Sequence, residues 1–135
     1  VDILRDCGCS LNPAMDLGQI EGGFMQGMGW LTTEELWFDD KGALRTHAPS
    51  TYKIPVAGDR PEMHIALWNG ENPEEAIYRS KAVGEPPLML AISAFCAIGD
   101  AIASVGDHKI PPGLDAPATP ERVLTAVRRV QEAAR

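Results

Sequence analysis

The sequence predicts an α+β fold, with a mixed or antiparallel sheet packed against about three helices. Three features carry that prediction. Residues 14–33 place Leu17, Ile20, Phe24, Met28 and Leu31 at steps of three and four, the period of one helical face. Residues 88–105 are apolar almost without interruption. Short β-branched or alternating stretches lie between turn residues and read as strands.

Taken in order, Val1 to Arg5 is the first strand, and "SLNPAMD" is a turn in which Pro13 opens the first helix. "ELWFDDKGALRTH" predicts a hairpin that turns at Asp39 to Gly42. "STYKIPVAGDRPE" is broken by prolines and reads as loop, whereas "MHIALWN" reads as a further strand. "GENPEE" is a turn, and "AIYRSKAV" is a strand or a connection. The helix expected from Leu88 to Val105 is apolar all round, so it must be buried on every side. A chain of 135 residues can hardly bury such a helix with its own side chains. The segment is therefore expected to pack within a larger body. "GDHKIPPGLDAPA" is an irregular connector. In the last helix Thr119 is the N-cap and Pro120 the first residue, Val123, Val127 and Val130 share a face, and the arginines face solvent.

Composition narrows the function. A net charge of −7 makes the chain a poor partner for nucleic acid phosphates. No apolar segment is expected to reach the ~20 residues of a bilayer span, and no leader-like stretch begins the chain, so the expected location is the cytoplasm, with no membrane partner. Cys7, Cys9 and Cys96 do not form a disulfide framework, and "CGC" is too closely spaced for a zinc knuckle. The histidines His47, His64 and His108 are scattered, so no metal is assigned to protein side chains.

Two stretches are unusual. In "GQIEGGFMQGMG", glycines recur inside a helical period, each costing roughly 1 kcal/mol relative to alanine. Gly18 and Gly22 share a face, as do Gly23 and Gly27, and Gln19 and Gln26 lie two turns apart. Such a face suits either a closely packed backbone or a flat polar ligand. It fits neither the dinucleotide fingerprint nor a phosphate loop. In "KAVGEPPLML", Glu85 stands between Gly84 and two prolines, ahead of an apolar run. The positive end of the following helix accounts for an acid there. The apolar flanks, the missing side chain at Gly84 and the stiff prolines also suit a general base that is desolvated and aimed.

"SLNPAMDLGQIEGGFMQGMGWLTTEEL", "THAPSTYKIP" and "SKAVGEPPLMLAISAF", in that order, resemble the C-terminal part of the molybdenum-binding subunit of the xanthine dehydrogenase family, and "LDAPATPERVL" is similar too. The resemblance implies that residues 1–135 are an incomplete C-terminal portion of a molybdopterin-binding domain. It implies hydroxylation of xanthine or hypoxanthine to urate, with water as the oxygen source. By the same resemblance Glu85, in "VGEPP", is the general base, Gln19, in "GQIEG", contacts the pterin, and Gly84 lies beside the cofactor. Iron–sulfur clusters and FAD belong to other modules, and the rest of the molybdenum subunit supplies the remaining site. The segment alone is expected to hold no cofactor and to be inactive. The alternatives are an aldehyde or another N-heterocycle as substrate, or a non-catalytic assembly module.

Overall fold

The computed structural model describes residues 1–135. The chain divides into two compact units. The first comprises Val1–Gly27 and Pro55–Leu90, the second Met28–Ile54 and Ala91–Arg135. Helix α1, Pro13–Thr32, is continuous through the boundary.

In the first unit, β1 (Asp2–Arg5) pairs with β2 (His64–Leu67), Asp2 opposite His64 and Arg5 opposite Leu67. The α+β class holds, but the pair is parallel, not mixed or antiparallel. The physical reason is connectivity: β1 and β2 are joined by a long crossover that contains α1, and a parallel pair requires such a crossover. α1 begins where Pro13 predicts, and the Asn12 side chain accepts from the Met15 amide. Ile20 and Phe24 are fully buried and hold the glycine-rich helix in place. Burial of each such side chain contributes about 1.5–3 kcal/mol, enough to offset the cost of a glycine or two. α2, Glu85–Leu90, closes the unit.

In the second unit, α3 (Ile92–Ser104) packs against α4 (Pro120–Ala133). Ile102, Ala126 and Val130 are buried there, with Ile98, Ile110, Leu114, Val123 and Val127 around them. The predicted valine face and the Thr119 cap are both present. One detail differs: Arg122 does not simply face solvent but donates to Glu35 and to the carbonyls of Ala116 and Pro117. The predicted hairpin keeps its turn, with Asp39 accepting from the amides of Lys41 and Ala43, but its strands shrink to one antiparallel bridge, Phe38 with Leu44. Leu36, Trp37 and Phe38 are all exposed, so no apolar face is buried to extend the ladder.

The helix expected over 88–105 starts earlier and is divided at Ala91, whose carbonyl accepts from the Ala94 amide in a short turn. The run Glu85–Ser104 spans 20 residues and is, by length and composition, apolar enough to cross a bilayer, which corrects the expectation that none would be. Length and composition alone do not make it a span. Met89, Leu90, Ile92 and Val105 are exposed, so this chain does not bury the apolar run on every side.

Candidate functional site

The stretch that carries Glu85 is held on both sides within the first unit. Upstream, residues 79–82 lie along residues 5–9: Cys9 N donates to Arg79 O at 2.9 Å and Lys81 N to Cys7 O at 2.9 Å. Gly8 sits at φ +62, and a Cβ there would lie 2.3 Å from Arg79 O, so only glycine fits this approach. Downstream, α1 meets the start of α2 at Gly23. A Cβ on Gly23 would lie 3.0 Å from Pro87 Cβ, 3.2 Å from Leu88 N and 3.3 Å from Gly84 O.

This packing brings Gln19 and Gly84 together, although their spacing in the sequence gives no sign of it. A Cβ built on Gly84 would lie 3.6 Å from Gln19 Oε1, in ordinary contact. Glu85 follows directly as the first residue of α2, three positions earlier than a helix beginning after the prolines. Gln19, Gly84 and Glu85 are all exposed, and the Glu85 carboxylate forms no hydrogen bond or ion pair within the chain. The apolar surround anticipated for Glu85 is therefore not supplied by this chain's own folding. Gln26 is exposed as well.

The helical glycines divide by role. Gly23 is a packing glycine. A Cβ at Gly18 or Gly22 would meet nothing within 4 Å, so that face is open and flat. A primary amide offers both a donor and an acceptor, and Gln19 presents one beside this face.

Several other charged and titratable groups make contacts within the fold. Lys81 donates to Asp6 Oδ2 at 2.5 Å, and the Gly8 amide donates to Asp6 Oδ1. These bonds, that to Lys81 first, hold the Asp6 carboxyl below its ordinary value. Burial, followed by the charge of Asp16, pushes the Cys7 thiol up, away from the thiolate form a nucleophile needs. In the second unit, a hydrogen bond to buried Glu34, followed by burial, pushes the Tyr52 hydroxyl up. Neither Asp6–Lys81 nor Glu34–Tyr52 is foreseen by local sequence pattern, because the partners come from distant stretches.

Residues 1–61 match the model of the molybdopterin cofactor-binding domain. That stretch contains Gln19 and ends before Gly84 and Glu85. The chain is 53% identical over 131 residues to the xanthine dehydrogenase/oxidase of Rattus norvegicus, a match covering 93% of this chain and 10% of that protein. It is 45% identical over 129 residues to the aldehyde oxidase of Homo sapiens, with the same coverage. Among solved structures, quinoline 2-oxidoreductase from Pseudomonas putida 86 superposes with a TM-score of 0.79 at 30% identity, over 94% of this chain and 16% of that one. The chain thus spans about a tenth of the length of the curated relatives it matches.

Proposed function

We propose that the chain is part of a molybdenum hydroxylase and that within its intact enzyme it supplies the general base, Glu85, and part of the wall of the molybdopterin site. The substrate proposed is xanthine or hypoxanthine, oxidised to urate with water as the oxygen source. The observation that carries the reading is the convergence of Gln19 and Gly84, from distant parts of the chain, beside a carboxylate with no partner.

The residues fit a bound pterin. The face at Gly18 and Gly22 carries no side chain to keep a flat ring system away. Gln19 offers hydrogen bonds to its edge. When bound, the molybdenum cofactor takes up the electrons released by the substrate carbon. Glu85 accepts the proton released as the new carbon–oxygen bond forms. No internal ion pair or hydrogen bond has to break before it can do so. Gly84 leaves the approach to that carboxylate free of side-chain bulk. Pro86 and Pro87 restrict the backbone that follows it. Iron–sulfur and FAD modules elsewhere in the enzyme carry the electrons onward, and the remaining substrate contacts come from other parts of the subunit. On this reading the 135 residues alone are inactive.

The same arrangement serves an aldehyde or another N-heterocycle, and the 45% identity to an aldehyde oxidase supports that as the second reading. The test is Glu85→Gln in the full-length enzyme, followed by single-turnover reduction of the molybdenum centre. Loss of a general base slows the step by about 10²–10⁴-fold with cofactor content unchanged. A rate near wild type would make Glu85 a helix-start acid only. Turnover of an aldehyde or quinoline-type substrate but not xanthine would keep the base and change the substrate.

A further inference from the structure

We propose that Asp6 and Lys81, assisted by Arg5, are positioning residues that fix the direction in which Glu85 is presented; this rests on the reading of Glu85 as base. Glu85 follows Gly84, the residue with the most backbone freedom in the stretch. An acid placed after such a residue points reliably only if the chain is held on both sides. On the far side the hold is the contact of Gly23 with Pro87 and Leu88. On the near side it is a cluster at the end of β1.

That cluster is specific. Asp6 uses both oxygens, Oδ1 for the Gly8 amide at 2.8 Å and Oδ2 for Lys81 Nζ at 2.5 Å. The Lys81 amide donates to Cys7 O, so both the backbone and the side chain of Lys81 are anchored to one short stretch. Arg5 Nη2 donates to Ala82 O at 2.5 Å, one residue further toward Glu85. The guanidinium takes this position although its buried Nε finds no partner. Lys81 and Ala82 are thus fixed, and only Val83 and Gly84 intervene before the carboxylate. The pair is 36% and 44% exposed on its two side chains, so its contribution to overall stability is small. Its effect is geometric: a misplacement of about 1 Å at a reacting group costs on the order of 10²-fold in rate.

The test uses the full-length, cofactor-loaded enzyme with Asp6→Asn, Lys81→Met, Lys81→Arg, Glu85→Gln and the double variant Asp6→Asn/Glu85→Gln. Asp6→Asn and Lys81→Met are expected to slow single-turnover substrate oxidation about 10- to 100-fold, with KM, cofactor content and Tm unchanged. Lys81→Arg, which can still reach Asp6, recovers most of the rate. In the Glu85→Gln background Asp6→Asn costs nothing more, because the pair acts only through Glu85. Hydrogen exchange of the amides of Ala82 to Glu85 gives a second readout, independent of turnover, and is expected to quicken in Asp6→Asn. Wild-type rates and exchange in Asp6→Asn and Lys81→Met, with Glu85→Gln slow, would overturn the positioning role and leave the base in place. An equal cost of Asp6→Asn with and without Glu85, or a loss of cofactor or Tm that accounts for the slowing, would overturn it too. A wild-type rate in Glu85→Gln would overturn the base and the positioning role together.

Discussion

Neighbouring glycines in α1 should respond to the same substitution in opposite directions. A methyl group added at Gly22 meets nothing within 4 Å. Gly22→Ala therefore keeps the full gain in helix propensity, about 1 kcal/mol. A methyl group at Gly23 would meet Pro87 Cβ at 3.0 Å, Leu88 N at 3.2 Å and Gly84 O at 3.3 Å. None of these can rotate aside: two are backbone atoms and the third belongs to a stiff ring. α2 must shift by a few tenths of an ångström, and overpacking of this kind costs about 1–3 kcal/mol. Set against the same propensity gain, Gly23→Ala comes out roughly 0–2 kcal/mol less stable than wild type. The two variants should thus differ by about 1–3 kcal/mol, several degrees in Tm for a chain of this size. Urea unfolding of the 135-residue chain, followed by circular dichroism with the variants side by side, measures the difference. If Gly23→Ala proves as stable as Gly22→Ala, α1 does not rest against the start of α2 as described. The arrangement of Gln19 beside Gly84 would then lose its support.

Two further outcomes follow from the second unit. The Asp39 carboxyl is held below its ordinary value, first by the Ala43 amide and then by Arg45 and the Lys41 amide. Its folded value lies below its unfolded one, so the turn is stabilised above pH ~4 and loses that support as pH falls through the lowered value. NMR titration of the side-chain carboxyl checks this, and a midpoint at or above the ordinary value would refute it. Val130 is fully buried between α3 and α4, so Val130→Ala should destabilise the chain by roughly 2 kcal/mol in the same urea assay, from the lost methyl groups and the space left behind. A change under 0.5 kcal/mol would mean that the pair of helices closes over the gap.

What the sequence made legible was local. The period of Ile20, Phe24 and Leu31, the proline at the head of α1 and the Thr119 cap all act within a few residues, and each appears where expected. Elements that depend on distant partners were not legible. The direction of pairing between β1 and β2 depends on the path of the intervening chain. The hairpin at Asp39 kept its turn chemistry, which is local, and lost its strands, which need a covering face. The left-handed backbone of Gly8 follows from the approach of Arg79, which no spacing reveals. Glu85 stood out by its stiff, apolar-flanked setting and Gln19 by its two-turn spacing to Gln26, their roles came from resemblance, and the contact between Gln19 and Gly84 required the fold.

The exposure of Glu85 bears on how the site is assembled. Its neighbours along the chain, Met89 and Leu90, are also exposed, although both are strongly apolar. Apolar side chains at the surface about one helical turn after an unpaired acid leave a surface that favours further apolar contact. Any segment of the intact enzyme that covers Met89 and Leu90 would withdraw water from around the neighbouring carboxylate. The contacts of this chain hold the acid in place without neutralising it, since Asp6, Lys81 and Arg5 engage the preceding backbone and leave the carboxylate unpaired. On the proposed reading of Glu85 as base, position and desolvation have separate sources, the first within these residues and the second outside them. Substitutions in the cluster at the end of β1 should therefore alter the rate at a fixed pH profile, whereas substitutions in the covering segment should move the profile itself.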